Sequence, residues 1–236
     1  MTRVPLCNDS NVQLRFLVPE DLPEIKKLCR EWFPIEYPHS WYEDISCNRK
    51  FFSLAAVYKF QIIGLIVVEI KPQGKCNKED QGLLSSHFPK TSLVAYILTL
   101  GVVQEFRRNG IATLLLDSVI SHLTNSSETA DCKAIYLHVL TTNTTAIQFY
   151  EQRKFKVHSF LPLYYNVHGV AKDGYSYVLY VNGGHPPWTI LDYLKHWGRT
   201  ISRIELCSLP KHLMTAIGTV IASILPTGLR SNLSVS

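Results

Sequence analysis

A short turn with the pattern R-x-x-G-x-A offers the most distinctive chemistry in the sequence. Arg107, Gly110 and Ala112 form it, between an apolar run and a stretch with helical periodicity. The first N–H groups of a helix have no partner inside the helix, so they bind phosphate groups well. Gly110 and Ala112 keep the turn free of bulk, and Arg107 and Arg108 add positive charge. The pattern predicts a phosphate-binding turn, with an ordinary strand–helix connection as the alternative.

Two side chains suited to proton transfer lie in successive apolar segments. Tyr96 lies in the segment 92–103 and His138 in the segment 134–140. An imidazole titrates near neutral pH, so His138 could act as a base, with Tyr96 positioning an amine or a water molecule. A histidine in an apolar strand is also commonly a hydrogen-bonded core residue, and a tyrosine there can simply pack. The residues alone leave both interpretations open.

The elements that must position these residues alternate between strands and helices. Strands are predicted at residues 12–18, 51–58, 61–70, 92–103, 134–140, 155–167 and 175–181, and helices at 19–32, 111–123 and 144–153. Two prolines predict a loop or a broken helix at 33–45. A polar run with Gly and Pro predicts a long surface connection at 71–91. The order predicts a mixed α/β domain with a central sheet at 12–184, after a flexible N-terminus at 1–11.

The composition excludes several classes of protein. Hydrophobic residues make up 46% of the chain, which is enough for a large core. The net charge of +5 is too small for a dedicated nucleic-acid binder, so no nucleic-acid partner is expected, but it suits an anionic cofactor or membrane surface. Six scattered cysteines without a CxxC motif predict reduced thiols and no metal site. No apolar signal-peptide segment is found at the N-terminus, which predicts a catalytic part facing the cytosol.

The motifs together resemble the GCN5-related N-acetyltransferase (GNAT) family. R-x-x-G-x-A follows an apolar strand, and Asn143, Phe149 and Tyr150 follow the next one. Over nearly the whole chain, segments such as FPIEYP, VAYILTLGV and HPPWTILDYL are similar to family members that acetylate protein N-termini. The resemblance implies the GNAT fold, a mixed seven-stranded twisted sheet flanked by helices, with C-terminal amphipathic helices. It also implies acetyl-CoA as acetyl donor, no metal, and direct attack by the amine in a ternary complex.

The resemblance assigns roles to individual residues. Tyr96 and His138 would remove the proton from the acceptor amine, directly or through water. The residues implied in acetyl-CoA binding are Leu100, Gly101, Val102, Arg107, Arg108, Asn109, Gly110, Ile111, Ala112, Thr113, Asn143, Tyr150, Glu151, Gln152 and Arg153. The residues implied in peptide binding are Phe33, Pro34, Glu36, Tyr37, Leu98, Tyr164 and Tyr165. Asn143 could equally cap a helix, and the two adjacent tyrosines could be an edge-strand pair.

The activity implied is transfer of an acetyl group to the α-amine of protein N-termini. The expected acceptors begin with Met followed by a hydrophobic or amphipathic residue, and they include membrane proteins. Two alternatives remain: a lysine acetyltransferase acting on histone-type tails, and a non-catalytic membrane-anchored module that binds acetyl-CoA. The residues do not decide between a monomer and a homodimer.

The segment 185–236 predicts a membrane-binding tail. Apolar residues recur at helical spacing, and five cations against two anions place +3 of the net charge here. Such basic amphipathic helices lie in the plane of an anionic membrane surface, although they could instead dock on the domain or on a second copy. Pro226 interrupts the uncharged run from Leu213, which is too short to cross a bilayer. The resemblance implies peripheral attachment to the cytosolic face of the Golgi membrane.

Overall fold

The computed structural model describes residues 12–33, 37–47 and 50–187. The helices are α1 (Leu22–Trp32), α2 (His39–Cys47), α3 (Ile111–Asn125) and α4 (Thr144–Glu151). The strands are β1 (Gln13–Phe16), β2 (Phe51–Tyr58), β3 (Gln61–Pro72), β4 (Leu93–Val102), β5 (Cys132–Leu140), β6 (Lys156–Val167) and β7 (Val170–Tyr180). The predicted flexible N-terminus and all but the first three residues of the predicted tail lie outside the described residues. No helix in the ranges described is long and apolar enough to span a membrane.

The seven strands form one sheet in the order β1-β2-β3-β4-β5-β7-β6. All neighbouring pairs are antiparallel except β4 and β5, which are parallel and are connected through α3. A parallel pair needs such a crossover, because its strands cannot be joined by a tight hairpin. The prediction of a mixed seven-stranded sheet flanked by helices is confirmed.

The parallel pairing of β4 with β5 ends halfway along the two strands. Its last pair is Ile97 with Leu137. Beyond it, β4 continues along β3 and β5 continues along β7. Leu98 is an extra residue in β4, since Ile97 and Thr99 pair with the consecutive residues Val68 and Val67 of β3. A bulge of this kind bends and twists a strand, and the sheet opens into a wedge at this point.

The two faces of the sheet carry different covers. On one face, apolar residues of α3 such as Leu115 and Leu116 pack on the central strands and are fully buried. On the opposite face, α1 and α2 cover one half of the sheet with Ile25, Cys29 and Ile45. The other half of that face is covered by the segment between β3 and β4.

This covering segment corrects the predicted surface connection at 71–91. Its Leu83 and Leu84 are 2% and 4% exposed and pack on β5 and β7, and Asp80 is 2% exposed. Strand β3 also runs further than predicted, to Pro72. The polar composition of the segment hid its role, because only a short Leu-Leu pair and one carboxylate face inward.

Two helices lie on either side of the described residues 33, 37 and 38, as the broken-helix alternative predicts. Helix α1 ends at Trp32 and α2 begins at His39, directly after Pro38. At the other end of the chain, β7 begins five residues earlier than predicted. It follows β6 through a tight turn in which His168 and Gly169 both have positive φ, so the two strands form a long hairpin.

Candidate active site

A cleft of about 610 Å³ opens where β4 and β5 separate. Leu100, Gly101 and Val102 of β4 line one side, and residues from the first turn of α3 and from α4 line the other. These three β4 residues pair with β3 alone, so their outer edge faces the cleft. The volume lies in the usual range of small-molecule sites. An extended ligand with amide groups could pair with this strand edge as an additional strand would.

The R-x-x-G-x-A turn lies at one end of the cleft. Gly110 has φ 79°, in the region that favours glycine, and it is the residue before the first turn of α3. Arg108 also has a positive φ, 65°, and the Arg107 Nε donates to the Val102 carbonyl at 3.0 Å. These contacts hold the N-terminal N–H groups of a 15-residue helix toward the cleft. The turn therefore suits the phosphate groups of a ligand lying in the cleft.

Most residues predicted to bind the cofactor line this cleft. They are Leu100, Gly101, Val102, Arg107, Arg108, Gly110, Ile111, Ala112, Thr113, Asn143, Tyr150, Gln152 and Arg153. Two other predicted residues do not line the cleft, and their side chains bond to other residues of the protein. Asn109 donates to the Phe106 carbonyl, and Glu151 accepts from the Tyr177 hydroxyl at 2.8 Å. The sequence did not predict a cofactor-binding role for six further residues that line the cleft, which are Trp32, Phe106, Thr145, Ala146, Gln148 and Phe149.

Helix α4 forms the second wall, and both its ends are fixed. Asn143 caps it, because its side chain accepts from the Ala146 N–H at 3.2 Å. Arg153 lies with its guanidinium 3.8 Å from the centre of the Phe149 ring and donates to the Thr113 hydroxyl of α3. Asn143 thus makes the capping contact proposed as its alternative role, and it lines the cleft as well.

Tyr96 and His138 lie in contact on the sheet face opposite α3. The Tyr96 hydroxyl is 3.1 Å from His138 Nδ1. The other ring nitrogen, Nε2, is 2.7 Å from Asp80 Oδ1, and the side chains of this pair are each 1% exposed. A carboxylate only accepts hydrogen bonds, so Nε2 carries a proton and Nδ1 accepts from Tyr96. The three residues form one hydrogen-bonded chain, with Nδ1 as its basic atom.

Two further tyrosines surround this chain. The Tyr164 ring packs edge-on against His138, with the ring centres 4.7 Å apart. Tyr136 stacks on Tyr96 at 4.8 Å. Burial, with help from neighbouring phenols, raises the pKa of Tyr96 well above its ordinary value, and burial raises the pKa of Tyr164 to about 12. Both phenols therefore stay protonated at neutral pH, and His138 is the group that can take a proton.

The predicted peptide-binding residues lie on the same side of the sheet. Phe33 packs edge-on against Tyr37 at 6.3 Å. Burial, with smaller contributions from the Tyr164 and Tyr37 phenols, raises the pKa of Tyr165. Leu98, the bulged residue of β4, packs among the side chains of α1 and α2. Pro34 and Glu36 lie outside the described residues.

The bulge that positions Tyr164 was not visible in the sequence. Leu161 and Tyr165 of β6 pair with Gly174 and Lys172 of β7, so three residues of β6 oppose one of β7. Leu163 has φ 52°, and its N–H is held by the Asp173 carboxylate at 2.8 Å. The distortion turns Tyr164 toward His138, although the sequence pattern of this segment predicts a regular edge strand.

Comparisons with known proteins agree with this geometry. Residues 22–155 match the model of the acetyltransferase (GNAT) family. N-alpha-acetyltransferase 60 of Danio rerio is 55% identical over 223 residues, which cover 94% of this chain and 92% of that protein. The chain belongs to the GNAT family. Its relative in Drosophila melanogaster, also N-alpha-acetyltransferase 60, is 53% identical, with 87% of this chain and 82% of that protein covered.

A solved GNAT structure has the same fold. The crystal structure of Arabidopsis thaliana NAA60 in complex with acetyl-CoA is 29% identical, has a TM-score of 0.65, and covers 73% of this chain and 100% of that chain. The cleft in the present structure has the two features that acetyl-CoA requires, a free strand edge for the amides of its arm and a helix N-terminus for its phosphates. In the part of the chain described, no group of three or more His, Cys, Asp or Glu side chains is arranged to hold a metal ion.

Proposed function

We propose that the protein is an N-alpha-acetyltransferase that moves the acetyl group of acetyl-CoA to the free α-amine of protein N-termini. The relatives at 53% and 55% identity carry this name and are matched over most of their length. The observation that supports a working enzyme is the pair of hydrogen bonds that join Asp80, His138 and Tyr96. These bonds orient a base, and a module that only binds acetyl-CoA has no need of one.

The first task of the site is to remove a proton from the acceptor. A free α-amine has a pKa of about 7.7–8.0, so most of it is an unreactive ammonium ion at neutral pH. Tyr96 can accept a hydrogen bond from this ammonium while its own hydroxyl proton points to His138 Nδ1. The proton then passes through Tyr96, or through a bridging water, to Nδ1, and Asp80 stabilises the imidazolium that forms.

The second task is to hold the donor. Acetyl-CoA supplies an activated acetyl thioester to the site. The edge of β4 at Leu100–Val102 and the turn at Arg107–Gly110 would hold its arm and phosphates, so that the thioester end lies near Leu98 and Tyr96. Because both reactants are bound at once, a direct attack needs no nucleophile from the protein. Cys132, with its pKa raised by burial to about 12, is unsuited to that role.

The acceptor wall favours a free N-terminus with an apolar first residue. Phe33, Tyr37 and Leu98 pack around the cluster formed with α1 and α2, while Tyr164 contacts both Tyr165 and His138. In this proposal the two groups form the two sides of the acceptor site. Such a closed aromatic site suits Met followed by a hydrophobic or amphipathic residue, and it disfavours a lysine within a longer peptide. The acceptors include the N-termini of membrane proteins if the enzyme lies at a membrane.

The tail supports a membrane location. Its basic amphipathic pattern suits an anionic lipid surface, and the resemblance noted above implies the cytosolic face of the Golgi membrane. In this proposal the enzyme is a peripheral protein that holds its active site close to emerging or membrane-inserted substrates.

Transfer to three matched peptides tests the function. One begins with a free Met-Leu, one has that amine blocked but carries an internal lysine, and one has both amines blocked. Radiolabelled acetyl-CoA reports transfer, and His138→Ala serves as the variant that lacks the base. We expect turnover of the free-terminus peptide alone, reduced at least a hundredfold by His138→Ala.

The other outcomes separate the alternatives. Equal turnover of the lysine peptide would identify a lysine acetyltransferase of histone-type tails. Binding of acetyl-CoA without turnover of any peptide would identify a binding module.

A further inference from the structure

Three buried polar atoms in the part of the sheet around His138 have no hydrogen-bond partner in the protein. Within the described residues, Asp80 Oδ2, Ser159 Oγ and Ser176 Oγ are buried and make no hydrogen bond to another protein atom. Ser176 is 0% exposed and Asp80 is 2% exposed. A buried polar group without a partner is costly, so such groups normally bind ordered water.

The residues that carry these three atoms lie close together in the fold. Ser176 of β7 pairs directly with His138 of β5, and Ser159 of β6 pairs directly with Ser176. Side chains of directly paired residues project from the same face and lie about 5 Å apart at Cβ. His138, Ser176 and Ser159 therefore form a row across three strands, and Asp80 covers its first member through the bond to Nε2.

His158 lies at the outer end of this row. It is an extra residue in β6, because Val157 and Ser159 pair with the consecutive residues Tyr177 and Ser176 of β7. The residue is half-buried, so it has access to solvent. Burial lowers the pKa of His158, and the nearby carboxylate of Asp80 opposes that shift. A neutral imidazole in this position can pass a proton on.

The reaction produces a proton that must leave a closed site. An α-ammonium ion and a thioester give an amide, a free thiol and one proton. The nitrogen loses two protons: one protonates the leaving thiolate, and the other remains on the enzyme. His138 receives that proton at Nδ1, and the bound reactants cover this side of the ring. The proton on Nε2 faces Asp80, away from the substrates.

We propose that Asp80, Ser176, Ser159 and His158 hold ordered water and relay the reaction's proton from His138 to solvent. The proton leaves Nε2 for Asp80 Oδ1, rotation of the protonated carboxyl group turns it toward the position of Oδ2, and water bound by the two serines carries it to His158. His138 keeps the proton on Nδ1 until the products leave. It then releases that proton to solvent through the emptied site and takes one up at Nε2 through the same relay, which restores its starting tautomer. The relay rests on the proposed acetyl transfer, but it applies to any amine acceptor.

An isosteric pair of substitutions tests the relay in the full-length chain. Val and Thr have the same shape, so Ser176→Val and Ser176→Thr add the same methyl group and differ only in the hydroxyl. Single-turnover rates are measured by rapid quench, so that product release does not hide the proton step. We expect Ser176→Val to slow the acetyl transfer about tenfold and to increase its solvent isotope effect, with KM for both substrates unchanged. Ser176→Thr should retain most of the rate.

Matched controls separate the relay from packing. Ser53 is also buried with an unpartnered hydroxyl, but it lies on β2, far along the sheet from His138. Ser53→Val and Ser53→Thr should therefore give equal rates. His158→Phe removes the exit group, and imidazole added to the buffer should recover part of its lost rate.

Specific results would overturn the relay. It is wrong if Ser176→Val and Ser176→Thr have the same rate, or if both lose rate in step with a lower melting temperature. It is also wrong if imidazole fails to recover a slow His158→Phe variant. The assay uses whichever peptide the wild-type protein acetylates. If the wild type acetylates none of the peptides, the proposed function and the relay are both contradicted.

Discussion

Asp80 decides which nitrogen of His138 is basic. Its carboxylate accepts from Nε2 at 2.7 Å, which leaves the Nδ1 lone pair directed at the Tyr96 hydroxyl. In the other tautomer the Nδ1 proton would point at the phenol, and Nε2 would place a lone pair against a carboxylate. The buried bond to Asp80 therefore makes the ring a base on the side of the substrate.

Replacing Asp80 by Asn should lower kcat about a hundredfold, since the amide can stabilise the wrong tautomer and no longer balances the imidazolium. The KM for acetyl-CoA should change little, because the cleft residues are untouched. Steady-state kinetics give both constants, and ¹⁵N shifts of His138 report the tautomer. Glu79→Gln, one residue earlier, is the control that removes an equal charge. Equal kcat in the two variants would show that Asp80 acts only through its charge.

Tyr96 should act as a neutral phenol throughout the working pH range. Burial raises its pKa well above the ordinary value, so the protonated form persists to higher pH and gives no titration step near neutrality. Tyr96→Phe should lower kcat at least tenfold without changing the shape of the pH–rate profile between pH 6 and about 9. Tyr136→Phe removes a phenol hydroxyl from the ring stacked on Tyr96 and should have a much smaller effect. A limb of the profile that disappears with Tyr96→Phe would contradict this assignment.

At the residue scale, the sequence predicted the pair but not its partner. Tyr96 and His138 stand out as polar residues in apolar strands, and the GNAT resemblance gives them a role. Asp80 lies in a polar run with Lys78, Glu79 and Gln81, and this context predicts a solvent-exposed carboxylate. The signal that could have identified it is the Leu83-Leu84 pair three residues later, which anchors the segment in the core.

At the scale of elements, a close approach between α1 and β4 shapes the cleft. Trp32, the last residue of α1, lies against Gly101, and both residues line the cavity. A Cβ atom on Gly101 would lie 2.1 Å from Cε3 of the Trp32 ring. The missing side chain therefore allows the helix to reach the strand edge, and the indole forms part of the cleft wall.

Gly101→Ala should push Trp32 away and weaken acetyl-CoA binding. It should also lower the free energy of unfolding by about 1–3 kcal/mol, because the rigid ring cannot move aside without a shift of α1. Calorimetric titration with acetyl-CoA and denaturant unfolding measure the two effects. In a Trp32→Ala background, Gly101→Ala should lower the free energy of unfolding much less, since the two residues are in contact. Equal costs in the two backgrounds would contradict the steric explanation.

The elements themselves were largely predictable, and the covering segment was not. Buried strands such as β4 and β5 are continuous apolar runs, and R-x-x-G-x-A marks the start of α3. The segment between β3 and β4 has no regular spacing of apolar residues, because it meets the sheet through scattered contacts. One of them is the hydrogen bond from the Tyr180 hydroxyl to the Leu83 carbonyl. Bulges at Leu98, His158 and Tyr164 also leave no local signal, since they arise from the pairing of distant strands.

At the scale of the whole molecule, charge is unevenly distributed along the chain. The predicted tail, residues 185–236, carries +3 of the total of +5. Lys195, Arg199 and Arg203 recur every four residues, between the apolar positions of the same predicted helix. A basic residue near an anionic membrane contributes about 1 kcal/mol to binding, so three such residues can decide whether the enzyme stays at a membrane.

Reversal of these three charges should release the full-length protein from membranes. Lys195→Glu, Arg199→Glu and Arg203→Glu together should lower its affinity for phosphatidylserine-containing vesicles at least a hundredfold. The rate of acetyl transfer to a soluble Met-Leu peptide should stay unchanged, because the proposed catalytic residues all lie before residue 185. Vesicle co-sedimentation measures the affinity, and Lys195→Arg, Arg199→Lys and Arg203→Lys form the control that keeps the charge. Higher ionic strength should weaken wild-type binding in the same direction. Unchanged vesicle binding together with an altered oligomeric state would instead assign the tail to contacts between protein surfaces.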